Sequence, residues 1–151
     1  MPSPLASPLD AAAGPLGPMP PPQQTTPDLS NYNAANAAMK LSPQEQNLYQ
    51  MHLTNLYGPG GVDNPPTPEN PQGSRSTLFQ ATVEVEGKTF VIPTVWGGKI
   101  VPPDQALELA KQYGLEKFPS YESEEAAQSR YDQMHGYMEQ DTGAYLRNRG
   151  R

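Results

Sequence analysis

Between Ser76 and Gly98, STLFQATVEVEGKTFVIPTVWGG, hydrophobic and polar positions alternate with a period of two, interrupted once at Glu86-Gly87. That pattern predicts two strands joined by a tight hairpin turn, because Gly in the second turn position accepts positive φ without steric cost. Setting Val85 opposite Lys88 places Val83 across from Phe90, Ala81 from Ile92, Phe79 from Thr94 and Thr77 from Trp96. One face then carries Phe79, Ala81, Val83, Phe90, Ile92 and Trp96, while Gln80, Thr82 and Glu84 fall on the other. A slip of one residue would destroy this segregation. The second face also holds Leu78, Val91 and Val95, which implies either a covering loop or helix or a partner surface. Pro93 lacks an N–H and confines its strand to an edge or bulge there. A hairpin alone is marginal in water and needs helices against its apolar face.

Three stretches supply them. Ser42-Pro43-Gln44-Glu45 has the residues of a capping box with Pro in the first turn, and it starts a helix that runs to about Tyr57. Gly58 is placed to supply a left-handed exit. The apolar residues of this helix spread over more than one stripe, so it is contacted on more than one side, and His52 reads as a packed or half-exposed residue. Pro103 to Tyr113, followed by Gly114, keeps Ala106, Leu109, Ala110 and Tyr113 on one stripe. Ser123 caps a third helix with Glu124 and Glu125 in its first turn and Ala127, Tyr131, Met134 and Met138 on its buried face. Asp141 to Leu146 extends it by about a turn, and His135 lies at the boundary of its buried stripe. Asn31 to Lys40 is a short helix candidate, and residues 58 to 75 read as a long irregular loop.

Composition changes the picture at the N-terminus. Of the 19 prolines in 151 residues, nine lie within the first 27. Such a segment forms no packed core and predicts an extended, polyproline-like arm. Its scattered apolar residues Leu5, Leu9, Leu16 and Met19 are candidate anchors on a partner. The expected fold is therefore α+β: a small antiparallel hairpin or sheet packed by about three α-helices, with an extended proline-rich N-terminal arm. The expected division is an arm over residues 1–40, a domain over 41–146 and a basic tail over 147–151.

Charge and residue types then exclude function classes. With ten Lys and Arg against sixteen Asp and Glu, the net charge is −6. Specific nucleic-acid binding is not expected, since it draws on clustered cations. There is no cysteine, so no disulfide or thiolate metal site arises, and the carboxylates and amides of residues 63–70 lack the spacing of a calcium loop. Neither a leader pattern nor a membrane-length apolar run is present, which predicts a soluble protein without a membrane partner. The two histidines sit in separate helices outside any nucleophile or zinc motif, and Glu84, Glu124 and Glu125 occupy sites suited to ordinary carboxylates. No catalytic residue, metal or cofactor is expected. Trp96, with Val91 and Val95, is a candidate interface. For Trp96 the favoured reading is the core, against Leu109 and Met134, because it shares the apolar face with Phe90 and Ile92.

NLYGPGGVDNP (55–65), GSRSTLFQ (73–80), VIPTVWGGKIV (91–101) and KFPSYESEEAAQSRYDQMHGYME (117–139) resemble, in the same order, a small domain of tailed-bacteriophage and prophage virion-associated proteins. The resemblance spans roughly Leu41 to Leu146 and carries no catalytic residues with it. It implies a structural or accessory component of the particle, made in the host cytoplasm and present in multiple copies. Its partners would be other virion proteins such as capsid, portal, neck or tail subunits. An internal protein ejected with the genome, or a peptidoglycan-binding or -processing accessory, are the alternatives it leaves.

Overall fold

The computed structural model describes residues 26–149. In chain order the elements are α1 (Ser30–Met39), α2 (Pro43–Tyr57), β1 (Val62–Asn64), β2 (Ser74–Ser76), β3 (Ala81–Val85), β4 (Lys88–Ile92), β5 (Val95–Trp96), β6 (Lys99–Ile100), α3 (Pro103–Tyr113), a 3-10 turn (Leu115–Lys117), β7 (Ser120–Tyr121) and α4 (Glu124–Arg149). This is the α+β arrangement expected of the alternation.

The hairpin forms in the expected register, from Val85 paired with Lys88 to Ala81 paired with Ile92. Glu86 and Gly87 have φ of 52° and 82°, as a primed turn requires at both central positions. Two departures matter. First, β7 joins the free edge of β4, making a sheet in the order β3-β4-β7. Second, the pairing stops at Ala81, and Phe79 does not continue it: its φ is 43° and its side chain is 61% exposed. The buried anchor there is Leu78, whose carbonyl accepts from the backbone N–H groups of Thr94 and Val95 at 2.8 and 3.2 Å.

The two sheet faces also exchange importance. Leu78, Val91 and Val95 are fully buried, whereas Ala81, Val83 and Phe90 are only half-buried. Val91 and Ile92 are adjacent, point to opposite faces and are both inaccessible, so both faces are covered at that end. Helices α3 and α4 both contact β3 and β4. Val91 and Val95 are therefore core residues and not the interface expected of them. Helices cover the residues that period two placed on the more polar side.

Helix α2 opens with the expected capping box: Ser42 Oγ accepts from the Glu45 N–H, and Glu45 accepts from the Ser42 N–H. Its exit differs from expectation, because Gly58 is extended, with φ of −122°. Glycine is required there by proximity, since a Cβ would sit 2.8 Å from the Thr54 carbonyl oxygen.

The packed unit begins earlier than residue 41. Helix α1 buries Ala35 completely and sets Tyr32 edge-on against Tyr49 at 5.1 Å. Local composition marks residues 30–40 as a weak helix, and packing on α4 secures it. At the other end α4 continues unbroken to Arg149, whose Nη1 donates to Asp63 at 2.7 Å. Part of the expected tail is thereby held in place. The segment expected as irregular loop holds β1 and most of β2, paired with Val62 opposite Ser76 and Asn64 opposite Ser74.

Candidate functional site

Two of the segments that carry the sequence resemblance, 55–65 and 73–80, meet at the C-terminal end of α2, and Arg75 ties them together. Its Nε donates to the Leu56 carbonyl at 3.1 Å, Nη2 to the carbonyls of Asn55 and Gly58, and Nη1 to Asp63 at 3.0 Å. Terminal carbonyls of a helix need partners, and here one guanidinium supplies them in place of a left-handed residue. The ring of Tyr145 lies 5.6 Å from the Arg75 guanidinium and 5.5 Å from that of Arg149. Sequence reasoning missed Arg75 because its acceptors lie some twenty residues upstream.

Below this clamp lies a buried polar cluster. His52 Nδ1 is 2.6 Å from Thr77 Oγ1, and His52 Nε2 is 3.3 Å from Asp141 Oδ2. Tyr49 donates to the same Oδ2 at 2.5 Å, and Asn31 Nδ2 donates to Oδ1 at 2.9 Å. His52 and Asp141 are 1% and 2% accessible. The adjacent carboxylate favours the proton on Nε2, which leaves Nδ1 to accept from the Thr77 hydroxyl. Burial holds the His52 imidazole below its ordinary range, and the attraction of Asp141 does not offset it. Burial, reinforced by Asp141, pushes the Tyr49 hydroxyl well above its usual range.

In outline this is a hydroxyl, an imidazole and a carboxylate in a row. Productive nucleophilic catalysis needs the base oriented by an aligned hydrogen bond from the third group. Here the carboxylate that lies 3.3 Å from His52 Nε2 also accepts from Tyr49 and Asn31. These contacts link α1, α2, α4 and Thr77 to one another.

A second buried cluster lies at the opposite end of α2. Glu45, 3% accessible, accepts from Arg130 Nη2 at 2.7 Å and Nε at 3.0 Å, and from the Tyr121 hydroxyl at 2.7 Å. Burial pushes the Glu45 carboxyl upward, but Arg130, the Ser42 N–H and Tyr121 together leave it below its ordinary value. Arg130 also donates to the Met39 carbonyl at 3.1 Å, so the cluster fastens the α1–α2 corner to α4.

Beside the first cluster an open cleft of about 550 Å³ runs between residues 69–80 and α4. Thr77, Tyr131, His135, Met138, Thr142 and Leu146 are on its walls, and Phe79 stands at its edge. His135 stacks on Tyr131 with ring centroids 5.5 Å apart, so the boundary histidine is a wall residue.

The residues singled out from sequence are dispersed. Leu5, Leu9, Leu16 and Met19 lie outside the described residues. Val91 and Val95 are buried. Trp96 is half-buried: its Nε1 donates to the Pro93 carbonyl at 2.8 Å, and its ring meets Tyr113 and Phe118 at 6.2 and 6.4 Å. It thus joins an aromatic cluster at the core's margin. Among the described residues no group of three or more His, Asp or Glu side chains is placed to hold a metal ion, and no helix is long and apolar enough to cross a membrane. Comparison of the chain with protein-family models, curated proteins and solved structures finds no match.

Proposed function

We propose that this chain is a non-enzymatic structural or accessory component of a tailed-bacteriophage particle. It binds neighbouring virion proteins through its N-terminal arm and its α+β module. The observation that carries the reading is how the recognised segments spend their polar groups. Arg75 of the second segment closes the helix end in the first, and Leu78 of the second anchors Thr94 and Val95 of the third. Residues used this way build a rigid body, and rigidity is what a connector needs so that its partners keep a fixed spacing.

Deleting residues 1–25 tests the arm, because among the described residues the buried core runs from Ala35 to Tyr145. The truncated chain is expected to fold with unchanged circular dichroism and to be missing from purified particles. Full occupancy by the truncated chain would reject the arm's role. Quantifying the chain in particles before and after DNA release checks the placement, since an accessory of the shell, neck or tail stays with the emptied particle.

A further inference from the structure

We infer that the free edge of β3 is a docking site for an extended segment of another protein, one that adds a strand there and carries Lys or Arg at alternate positions. The inference rests on the register of the sheet and on charge, and it holds whether or not the chain belongs to a particle.

The register fixes which backbone groups point outward. In an antiparallel pair, residues directly opposite alternate between those that exchange two hydrogen bonds and those that exchange none. The Val91 N–H donates to the Pro119 carbonyl at 3.0 Å, on the β7 side of β4, so Val91 and its partner Thr82 exchange none. Glu84 stands in the same relation to Thr89. The N–H and C=O groups of Thr82 and Glu84 therefore point away from β4. Among the described residues no strand lies on that side, since the sheet order is β3-β4-β7. Natural sheets blunt such an edge with proline, a bulge, lysine or a very short strand. β3 spans five residues, Ala81–Val85, with no proline, no lysine and no bulge in its pairing, and its one charged residue is Glu84.

Charge selects the occupant. Residues directly opposite in paired strands project to the same face, so those of an added strand facing Thr82 and Glu84 would stand beside these two side chains. There an open groove of about 230 Å³ has Thr82, Glu84, Thr89, Glu122 and Glu124 on its walls. Glu84, Glu122 and Glu124 are exposed, and among the described residues no salt bridge engages them. Lys88 pairs with Val85 and so belongs to the opposite face. Cations at alternate positions of an added strand would meet these carboxylates, and opposite charges across paired strands attract. The residues between them would project along half-buried Ala81, Val83 and Val85, where apolar side chains fit.

The same features argue against the other occupants. A second copy of β3 in antiparallel pairing would bring another Glu84 to an acidic groove, where like charges repel. Residues 1–25 contain neither Lys nor Arg and are rich in proline, which lacks the N–H that strand addition uses. An extended basic segment of a different chain meets both requirements. Strand addition at a sheet edge is an established mode of recognition, in which main-chain bonds give affinity and alternate side chains give specificity.

The test follows amide hydrogen exchange by NMR in the isotope-labelled full chain, with the synthetic peptide acetyl-Thr-Lys-Val-Lys-Val-Thr-amide as probe. In the free chain the Thr82 and Glu84 amides should exchange rapidly, while those of Val83 and Val85 are protected by β4. Once about nine-tenths of the chain is bound, exchange at Thr82 and Glu84 should slow about tenfold, because it proceeds through the unbound fraction. A peptide with Glu in place of both Lys, and one N-methylated at both Lys, should leave those rates unchanged. Thr82→Pro removes an outward donor and none of the bonds to β4, so it should abolish the effect at Glu84 while Val83 and Val85 stay protected. Protection of Thr82 and Glu84 in the free chain would mean that the edge is already covered, and it overturns the inference. So does equal slowing by the N-methylated peptide, which reduces the effect to charge attraction, or no slowing by the lysine peptide at millimolar concentration.

Discussion

The two buried polar clusters at opposite ends of α2 solve the same problem differently. Around Glu45 the buried charge has a countercharge: a two-pronged guanidinium, a hydroxyl and a backbone N–H converge on one carboxylate. Around Asp141 the partners among the described residues are a phenol, an amide and an imidazole that burial disfavours in its charged form. The first cluster is a charge-compensated clamp. The second is held by neutral donors, and it adjoins the only part of the hairpin region where the backbone is strained and an aromatic ring is displayed. The comparison teaches that this fold is locked electrostatically at the α1–α2 corner and held by pH-sensitive contacts beside the cleft.

The largest effect should come from breaking the clamp. Arg130→Ala leaves Glu45 buried and uncompensated, and should cost about 3 kcal/mol in urea unfolding, the range for breaking a buried pair. Glu45→Gln should cost less, because Arg130 retains access to solvent. Equal losses would mean that Arg130 contributes packing rather than charge.

Acidification separates the clusters next. A histidine whose folded pKa is depressed leaves its contribution fully present above its ordinary value of 6.5, and that contribution is lost as pH falls below it. One such group changes stability by at most about 1.4 kcal/mol per pH unit. Glu45, also depressed, keeps its contribution above its ordinary value of 4.5 and loses it as pH falls further. Melting temperature should therefore decline in two stages, and His52→Gln should remove the upper one. A profile in His52→Gln that still falls between pH 6.5 and 5 would show that another group governs that range.

Thr77→Val probes the hydroxyl that donates to His52 and should cost about 1–2 kcal/mol by leaving a buried acceptor unpaired. The smallest effect is Ser42→Ala, which removes the N-cap bond while leaving the Glu45–Arg130 pair, at about 1 kcal/mol. Both are measurable by denaturant titration. A larger loss for Ser42→Ala than for Thr77→Val would reverse the view that the clamp end is redundantly held.

The sequence by itself determined whatever depends on neighbours within a turn. Glu86-Gly87 set the register of β3 on β4, Ser42-Pro43-Gln44-Glu45 set the start of α2, and Pro103 with Gly114 bounded α3, because those signals are backbone preferences of adjacent residues. Only the tertiary structure decided which sheet face would be the more deeply buried, since period two separates faces but cannot say where helices will lie. It alone placed Arg75 on the end of α2, brought Asp141 to Tyr49 across 92 residues and Arg130 to Glu45 across 85, and turned Phe79 outward. Each of these rests on groups distant in sequence. Their positions become defined only when the core closes and every buried donor and acceptor must find whichever partner the packing brings near.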